Sequence, residues 1–419
     1  MPLTLPADIA QPCAEERRNA STTFASFSSR IFRALTRETT SGRFIPQMDG
    51  LRFVALSMVV LFHLNAYLMA KARFYGGEAV HPDWLCRGAL SGSHGVELFF
   101  VISGFILALP FAAHQLAGAP AVSLRRYYLR RLTRLEAPYI ITLLLFTALA
   151  YWTHPALAPL KSHVAASLFY LHNCIYGAPS TALGVAWSLE IEVQFYILVP
   201  LLTLLFAIRN SFLRRACILL LVFSGMAEQA KVREISPQLA LSVVAYLQFF
   251  LIGFLLADIF LLQWKKSPRL PILWDLISLA GWPAMFICLQ TETRIRWLFP
   301  ALVFLLYCAA FRGRWTSRIF SVRWITAIGG MCYSIYLIHY EVISAVARFS
   351  KTIGERLPDP VFLLVQFVIV GIAIVLVCAA YFLLLEKPCM NRDWPQRLWQ
   401  RAKLLGPTGK GKPQAAFAD

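Results

Sequence analysis

The chain has 419 residues, 58% hydrophobic and 15% charged, with a mean hydropathy of +0.60. A soluble domain of this size has too little interior to hide that much apolar surface, so composition points to a protein that crosses a membrane many times. The formal charge of +18 lies almost wholly in short loops and tails between apolar runs, which argues against a nucleic-acid-binding face.

Residues 1–45 are polar, rich in Ser, Thr and Arg, and carry no apolar period. Glu15, Glu16 and Glu38 argue against an organellar leader, and a disordered cytoplasmic tail is expected. The first apolar run is too long and starts too late for a cleavable signal peptide. Ten spans are expected near 51–70, 95–113, 135–153, 184–206, 213–229, 239–262, 272–290, 295–311, 324–347 and 362–385. The stretch 162–177 is too short to cross and is expected to lie at the interface or re-enter. The fold class is therefore an all-α polytopic membrane bundle of about ten helices, with one domain over 46–390 and a basic tail over 391–419. An even count puts both termini on one side, where 29 of the 40 lysines and arginines fall, so both are expected in the cytoplasm. The nine cysteines show no CxxC or Cys/His spacing, and no metal site is expected. Cys86 and Cys174 fall in loops on the opposite side, where they either pair or stay as thiols.

Polar groups inside the spans carry the chemistry. In DGLRFVALSMVVLFH (49–63), Arg52 and His63 are eleven residues apart, near three helical turns, so both project from nearly the same face. The rise between them is roughly 16 Å, which places His63 near the midplane if Arg52 marks a membrane surface. An imidazole at that depth either bonds a neighbouring helix or faces a polar interior or ligand. Glu97 opens the second span, and Gly104 within it permits close approach of another backbone. The stretch RRYYLRRLTRLEAPY ahead of the third span places Arg131 and Arg134 on one helical face, beside Arg126 and Arg130. Five arginines and no lysine satisfy the positive-inside rule, and equally suit an anion site for phosphate oxygens. In WSLEIEVQFYILVPLL, Glu190 and Glu192 are two apart and point in different directions, so they cannot share one small site. Either needs a buried partner, His63 or an arginine. Tyr336 and His339 in GGMCYSIYLIHY either line an interior cavity or serve helix packing.

Together these stretches resemble the acyltransferase-3 family of bacterial membrane acyltransferases. The matching motifs are Asp49-Gly50-Leu51-Arg52 with His63, GVELFFVISGF from Gly95, Arg131 and Arg134 leading to Pro138-Tyr139, WSLEIEVQFY from Trp187, and YSIYLIH from Tyr333. They stand in family order over about residues 46 to 390. Glu192 falls on the family's glutamate, Glu97 stands where aspartate is commoner, and Glu190 is an additional carboxylate of unassigned role. Some members carry an esterase-like domain after the helices, and none is expected here.

The resemblance implies a bacterial inner-membrane enzyme that moves an acyl group, most often acetyl, from cytoplasmic acyl-CoA to a carbohydrate hydroxyl. The acceptor is a cell-envelope or secreted polysaccharide, a lipid-linked glycan or a glycoside. It implies acyl-CoA as donor substrate, with no bound cofactor. On this reading His63 is the base and Glu192 orients it. Arg52, Arg131, Arg134, Asp49, Tyr139, Trp187, Glu97, Tyr336 and His339 surround donor or acceptor. An acyl-histidine intermediate remains open. The competing class is a proton-coupled transporter, since intramembrane His and Glu also serve proton relays. The absence of a broken-helix repeat and the one-sided arginine cluster count against it.

Overall fold

The computed structural model describes residues 32, 34–36, 44–72, 75, 83–153, 161–264, 266–290, 295–354, 356–390 and 394. Among them every regular element is helical. The α-helices of five residues or more are, in chain order, α1 (Pro46–Lys71), α2 (Asp83–Leu90), α3 (Gly95–Ala117), α4 (Leu124–Thr153), α5 (Lys161–Leu168), α6 (His172–Tyr176), α7 (Trp187–Leu202) and α8 (Ser211–Ile235). Then follow α9 (Leu247–Gln263), α10 (Pro271–Gln290), α11 (Phe299–Arg312), α12 (Arg314–Phe320), α13 (Arg323–Gly330), α14 (Cys332–Ser350) and α15 (Asp359–Tyr381).

Among the described residues, six helical stretches are long and apolar enough to cross a membrane: Pro46–Lys71, Arg87–Ala117, Leu124–Thr153, Gly184–Ala207, Pro271–Gln290 and Asp359–Cys389. The other four expected spans are helical but interrupted, short or more polar. α9 and α11 are apolar helices of 17 and 14 residues. α8 carries Glu228, Lys231, Arg233 and Glu234 through its last turns. The stretch expected as 324–347 breaks at Met331, between α13 and α14. Its Gly329 lies against the Asp49 backbone of α1, where a Cβ would overlap the Asp49 carbonyl oxygen. That close approach accounts for the glycine ahead of the break.

α1 stands between two apolar clusters. Met48, Leu51, Ala55 and Met58 join a core around α3 and α9, where Phe195 stacks on Phe250 at 3.8 Å between ring centroids. Leu56, Val60, Leu64 and Leu68 join a second core built on α14 and α15. A helix apolar on two sides is held in one rotation, and that rotation fixes where Arg52 and His63 point. α3 and α9 meet backbone to backbone, since a Cβ on Gly104 would overlap the Phe250 carbonyl oxygen. Gly104 thus makes the close approach its sequence context predicts, and Phe250 is the neighbour.

Two expectations change in form. The third span, expected from 135, starts earlier, because the basic stretch ahead of Pro138 is the opening of α4, continuous from Leu124 to Thr153. Its leucines, arginines and tyrosines contain no helix breaker, so the helix runs through them. The short stretch after α4 becomes α5 and α6, two helices too short to cross, separated at Tyr170 with φ of 57°. The expected tails lie outside the described residues, apart from 32, 34–36, 44–45 and 394. Of these, Leu35 is buried and Phe32 lies 4.2 Å from Trp324 between ring centroids.

Candidate active site

The partner of His63 is another histidine. His63 Nδ1 lies 2.9 Å from His339 Nε2, joining α1 to α14 across 276 residues of sequence. His339 is fully buried, and its Nδ1 lies 2.9 Å from the carbonyl oxygens of both Ile335 and Tyr336. Carbonyl oxygens only accept, so the proton on neutral His339 belongs on Nδ1. Its Nε2 is then an acceptor, and His63 Nδ1–H donates to it. The hydrogen-bond pattern therefore assigns the tautomer of His63 with a lone pair on Nε2, the form a general base requires. Phe62 and Tyr340 flank the His63 ring, at 5.0 and 5.5 Å between centroids.

Tyr336 connects this pair to α7. Its hydroxyl donates to the Val185 carbonyl at 2.5 Å and accepts from the Leu189 N–H at 3.2 Å, with Ser188 Oγ at 3.1 Å. Its backbone carbonyl is one of the two that hold His339. Two features of a single residue thus position the base and the start of the glutamate helix.

The two glutamates of α7 diverge as their spacing predicts. Glu192 accepts from Ser103 Oγ at 2.6 Å and Tyr196 hydroxyl at 2.8 Å. It also lies within electrostatic reach of Arg52 and Arg131. These hydrogen bonds go to Ser103 and Tyr196, and the ring-orienting contact on His63 comes from His339. Glu190 faces the other way, where its Oε2 accepts the Asn173 backbone N–H at 2.8 Å at the start of α6. The additional carboxylate thus pins the short helix to the bundle.

Arg52 is 9% exposed and pairs with Asp49 one turn earlier. It therefore lies within the protein rather than on its outer surface. The start of α1 is enclosed because Gly50 touches the Phe320 backbone and Gly329 touches Asp49.

Arg131 and Arg134 occupy one face of α4, but their surroundings differ. The Arg131 guanidinium lies over the Tyr127 ring, 3.9 Å from its centroid, and 5.8 Å from that of Tyr196. One Arg131 nitrogen donates to the Tyr127 carbonyl at 3.0 Å, while the buried Nε has no partner among the described residues. A pre-oriented guanidinium with a spare donor suits an anionic oxygen. Arg134 lies 3.7 Å from the buried carboxylate of Glu386. Glu386 also accepts from the N–H and hydroxyl of Ser334, so it caps the first turn of α14.

The remaining sequence candidates serve nearby structure. Tyr139 donates to the Ser167 carbonyl at 2.8 Å and stacks on Tyr170 at 4.7 Å. The Trp187 carbonyl accepts from Asn173 Nδ2 at 2.7 Å. Glu97 pairs with His94 at 3.2 Å, at the first turn of α3. Cys174 is a free thiol, and the Cys86 side chain lies outside the described residues.

Sequence reasoning missed Ser103, Tyr196 and Glu386. Tyr196 stands one turn after Glu192, a visible signal, while Ser103 becomes a partner only when α3 meets α7. It also missed a second histidine pair. His163 Nδ1 lies 2.9 Å from His172 Nε2, and His172 Nδ1 lies 2.8 Å from the Ala178 carbonyl oxygen. Burial lowers the His172 pKa below the ordinary imidazole value, favouring the neutral ring.

The acyltransferase domain model matches residues 45–383, nearly the whole helical region. Among curated proteins, the chain is similar to "Putative O-acetyltransferase SACOL0978" of Staphylococcus aureus strain COL, with 25% identity over 343 residues, covering 73% of this chain and 52% of that protein. It is also similar to "O-acetyltransferase OatA" of Staphylococcus aureus strain NCTC 8325, with 26% identity over 335 residues, covering 74% and 52%. The chain thus spans about half the length of these relatives. No solved structure matches. With five motifs in order and a domain match from 45 to 383, the chain belongs to the acyltransferase-3 family.

Proposed function

We propose that this protein is an integral-membrane O-acyltransferase that moves an acyl group, most simply acetyl, from cytoplasmic acyl-CoA to a hydroxyl of a carbohydrate. The carrying observation is the pairing of half-buried His63 with buried His339, which leaves His63 Nε2 free to accept a proton. In the reaction, the acceptor hydroxyl loses its proton to His63 Nε2 as its oxygen attacks the thioester carbonyl. The carbon–sulfur bond then breaks, and the departing thiolate takes that proton back. The ester and free thiol form with no net proton release, so His63 ends as it began. His339 Nε2 accepts from the His63 imidazolium throughout and keeps the ring from turning.

Arg131 holds donor phosphate oxygens through its spare donor, with Arg134 beside it. Glu192, within electrostatic reach of Arg52 and Arg131, offsets part of their positive charge in the interior. The proposed topology has ten membrane helices and both termini in the cytoplasm of a bacterial inner membrane. It rests on the 29 of 40 basic residues that fall on the terminal side.

The deciding experiment uses the purified full chain in vesicles, with acyl-labelled acetyl-CoA and envelope glycan as acceptor. Label appearing as an ester on the glycan supports the reading. Passage of donor or glycan across the vesicle without ester formation overturns it in favour of transport. A reporter fused at residue 410 that reads outside the cytoplasm overturns the topology.

A further inference from the structure

The segment from α11 to α14 is interrupted at Gly313, at Ser321 and Val322, and at Met331, and carries RGRWTSRIFSVRW over 312–324, a stretch with no acidic residue. Its inner face is fixed. Asp275 of α10 accepts the backbone N–H groups of Arg314, Trp315 and Thr316 at 3.1, 3.0 and 2.8 Å. Ser317 Oγ accepts from Gln47 Nε2 at 3.0 Å, and the Phe320 backbone lies against Gly50. The elbow is therefore rigid where it meets α1 and α10.

Its outer face mixes two chemistries. Trp315 is 58% exposed, Ile319 56% and Val322 44%, with Arg314, Arg318 and Arg323 exposed between them. Both Arg318 and Arg314 lie over the Trp315 ring, 5.3 and 5.7 Å from its centroid. Among the described residues no carboxylate pairs with any of these three arginines. Bilayer hydrocarbon does not favour three unpaired guanidinium groups. Water does not favour a cluster of tryptophan, isoleucine and valine. The headgroup layer suits both, with the apolar side chains towards the acyl region and the arginines among phosphates.

We propose that this elbow, α12 with the start of α13, is a docking surface for anionic phospholipid headgroups. Charge complementarity selects the anionic class, because three arginines, whose guanidinium groups form no ion pair among the described residues, outnumber the single Asp275 carboxylate, which the backbone N–H groups engage. Arginine's planar fork matches the phosphate oxygens. The elbow touches Gln47 and Gly50, beside the Asp49–Arg52 pair, so a docked lipid bears on the first turn of α1. The inference needs the chain to lie in a membrane and does not depend on acyl transfer.

The test is native mass spectrometry of the purified full chain after incorporation into vesicles of equal parts phosphatidylcholine and phosphatidylglycerol. Wild-type protein retains phosphatidylglycerol preferentially. Arg314→Gln with Arg318→Gln lowers that retention on the order of tenfold. Arg348→Gln, which removes one charge at the far end of α14, leaves it unchanged. Equal retention of the two lipids by wild type overturns the proposal, and this measurement needs no variant to fold. Undiminished retention in the double variant, or an equal fall in the Arg348 control, also overturns it.

Discussion

Among the described residues, two histidine pairs share one hydrogen-bond pattern in different surroundings. In each, Nδ1 of a half-buried histidine meets Nε2 of a buried one at 2.9 Å, and the buried ring is anchored to a carbonyl. Each thereby leaves one lone pair on the half-buried ring. The His163 pair closes over nine residues, and its ring stacks on Tyr176 at 3.9 Å with planes 12° apart. That pair staples a short segment. The His63 pair joins the two longest-separated family motifs, α1 and α14, beside the Tyr336 hydroxyl that holds α7. A tautomer alone therefore does not identify a base. Position relative to the other polar groups does.

The widest separation expected between the pairs comes from glutamine, which retains hydrogen bonding but cannot act as a comparable base. His63→Gln should cut acyl transfer by about 10²–10⁴-fold while donor binding and membrane insertion persist. His163→Gln should leave transfer within about threefold, since it disturbs only a local hydrogen bond. Equal rates for wild type and His63→Gln in a purified assay would falsify the assignment.

His339 tests the tautomer argument at a smaller amplitude. His339→Leu should lower kcat on the order of 10²-fold, because His63 then loses the acceptor that fixes its ring. His339→Gln should recover part of that loss, as its amide oxygen can accept from His63 Nδ1–H. Identical kinetics in the two variants would show that hydrogen bonding at this position is irrelevant.

The arginines sharpen the comparison from the donor side. Arg131→Ala should weaken donor binding on the order of tenfold, by loss of a charge-assisted hydrogen bond. Arg131→Lys should restore only part, because the planar fork is gone. Arg134→Ala should instead lower thermal stability more than donor affinity, since the buried Glu386 carboxylate loses the Arg134 charge beside it. Calorimetric donor titration and thermal unfolding separate the two. Unchanged donor affinity in Arg131→Ala would leave the cluster with a topological role only.

The smallest effect is expected at Glu190. Glu190→Ala removes the acceptor for the Asn173 N–H and should cost about 1–3 kcal/mol of stability. Glu190→Gln keeps an oxygen acceptor and should cost less. Protease sensitivity of the segment 161–186 is the readout, and no change in either variant would remove Glu190 from its proposed anchoring role.

Much of this protein is determined by local sequence. Apolar run lengths declare a helical membrane protein, because a bilayer requires backbone polar groups to bond within the segment or its close neighbours. The eleven-residue spacing puts Arg52 and His63 along one helix, and the two-residue spacing sends Glu190 and Glu192 apart. Local sequence also shows Arg131 and Arg134 sharing a face of α4. The partners were decided elsewhere. His63 meets His339 because α1 is wedged between two cores and turns that face towards α14. Glu192 meets Ser103, and Arg134 meets Glu386, through contacts 89 and 252 residues apart in the chain. A buried polar group needs a partner, but several were available to each. Only the rotations and close approaches of the assembled helices selected one.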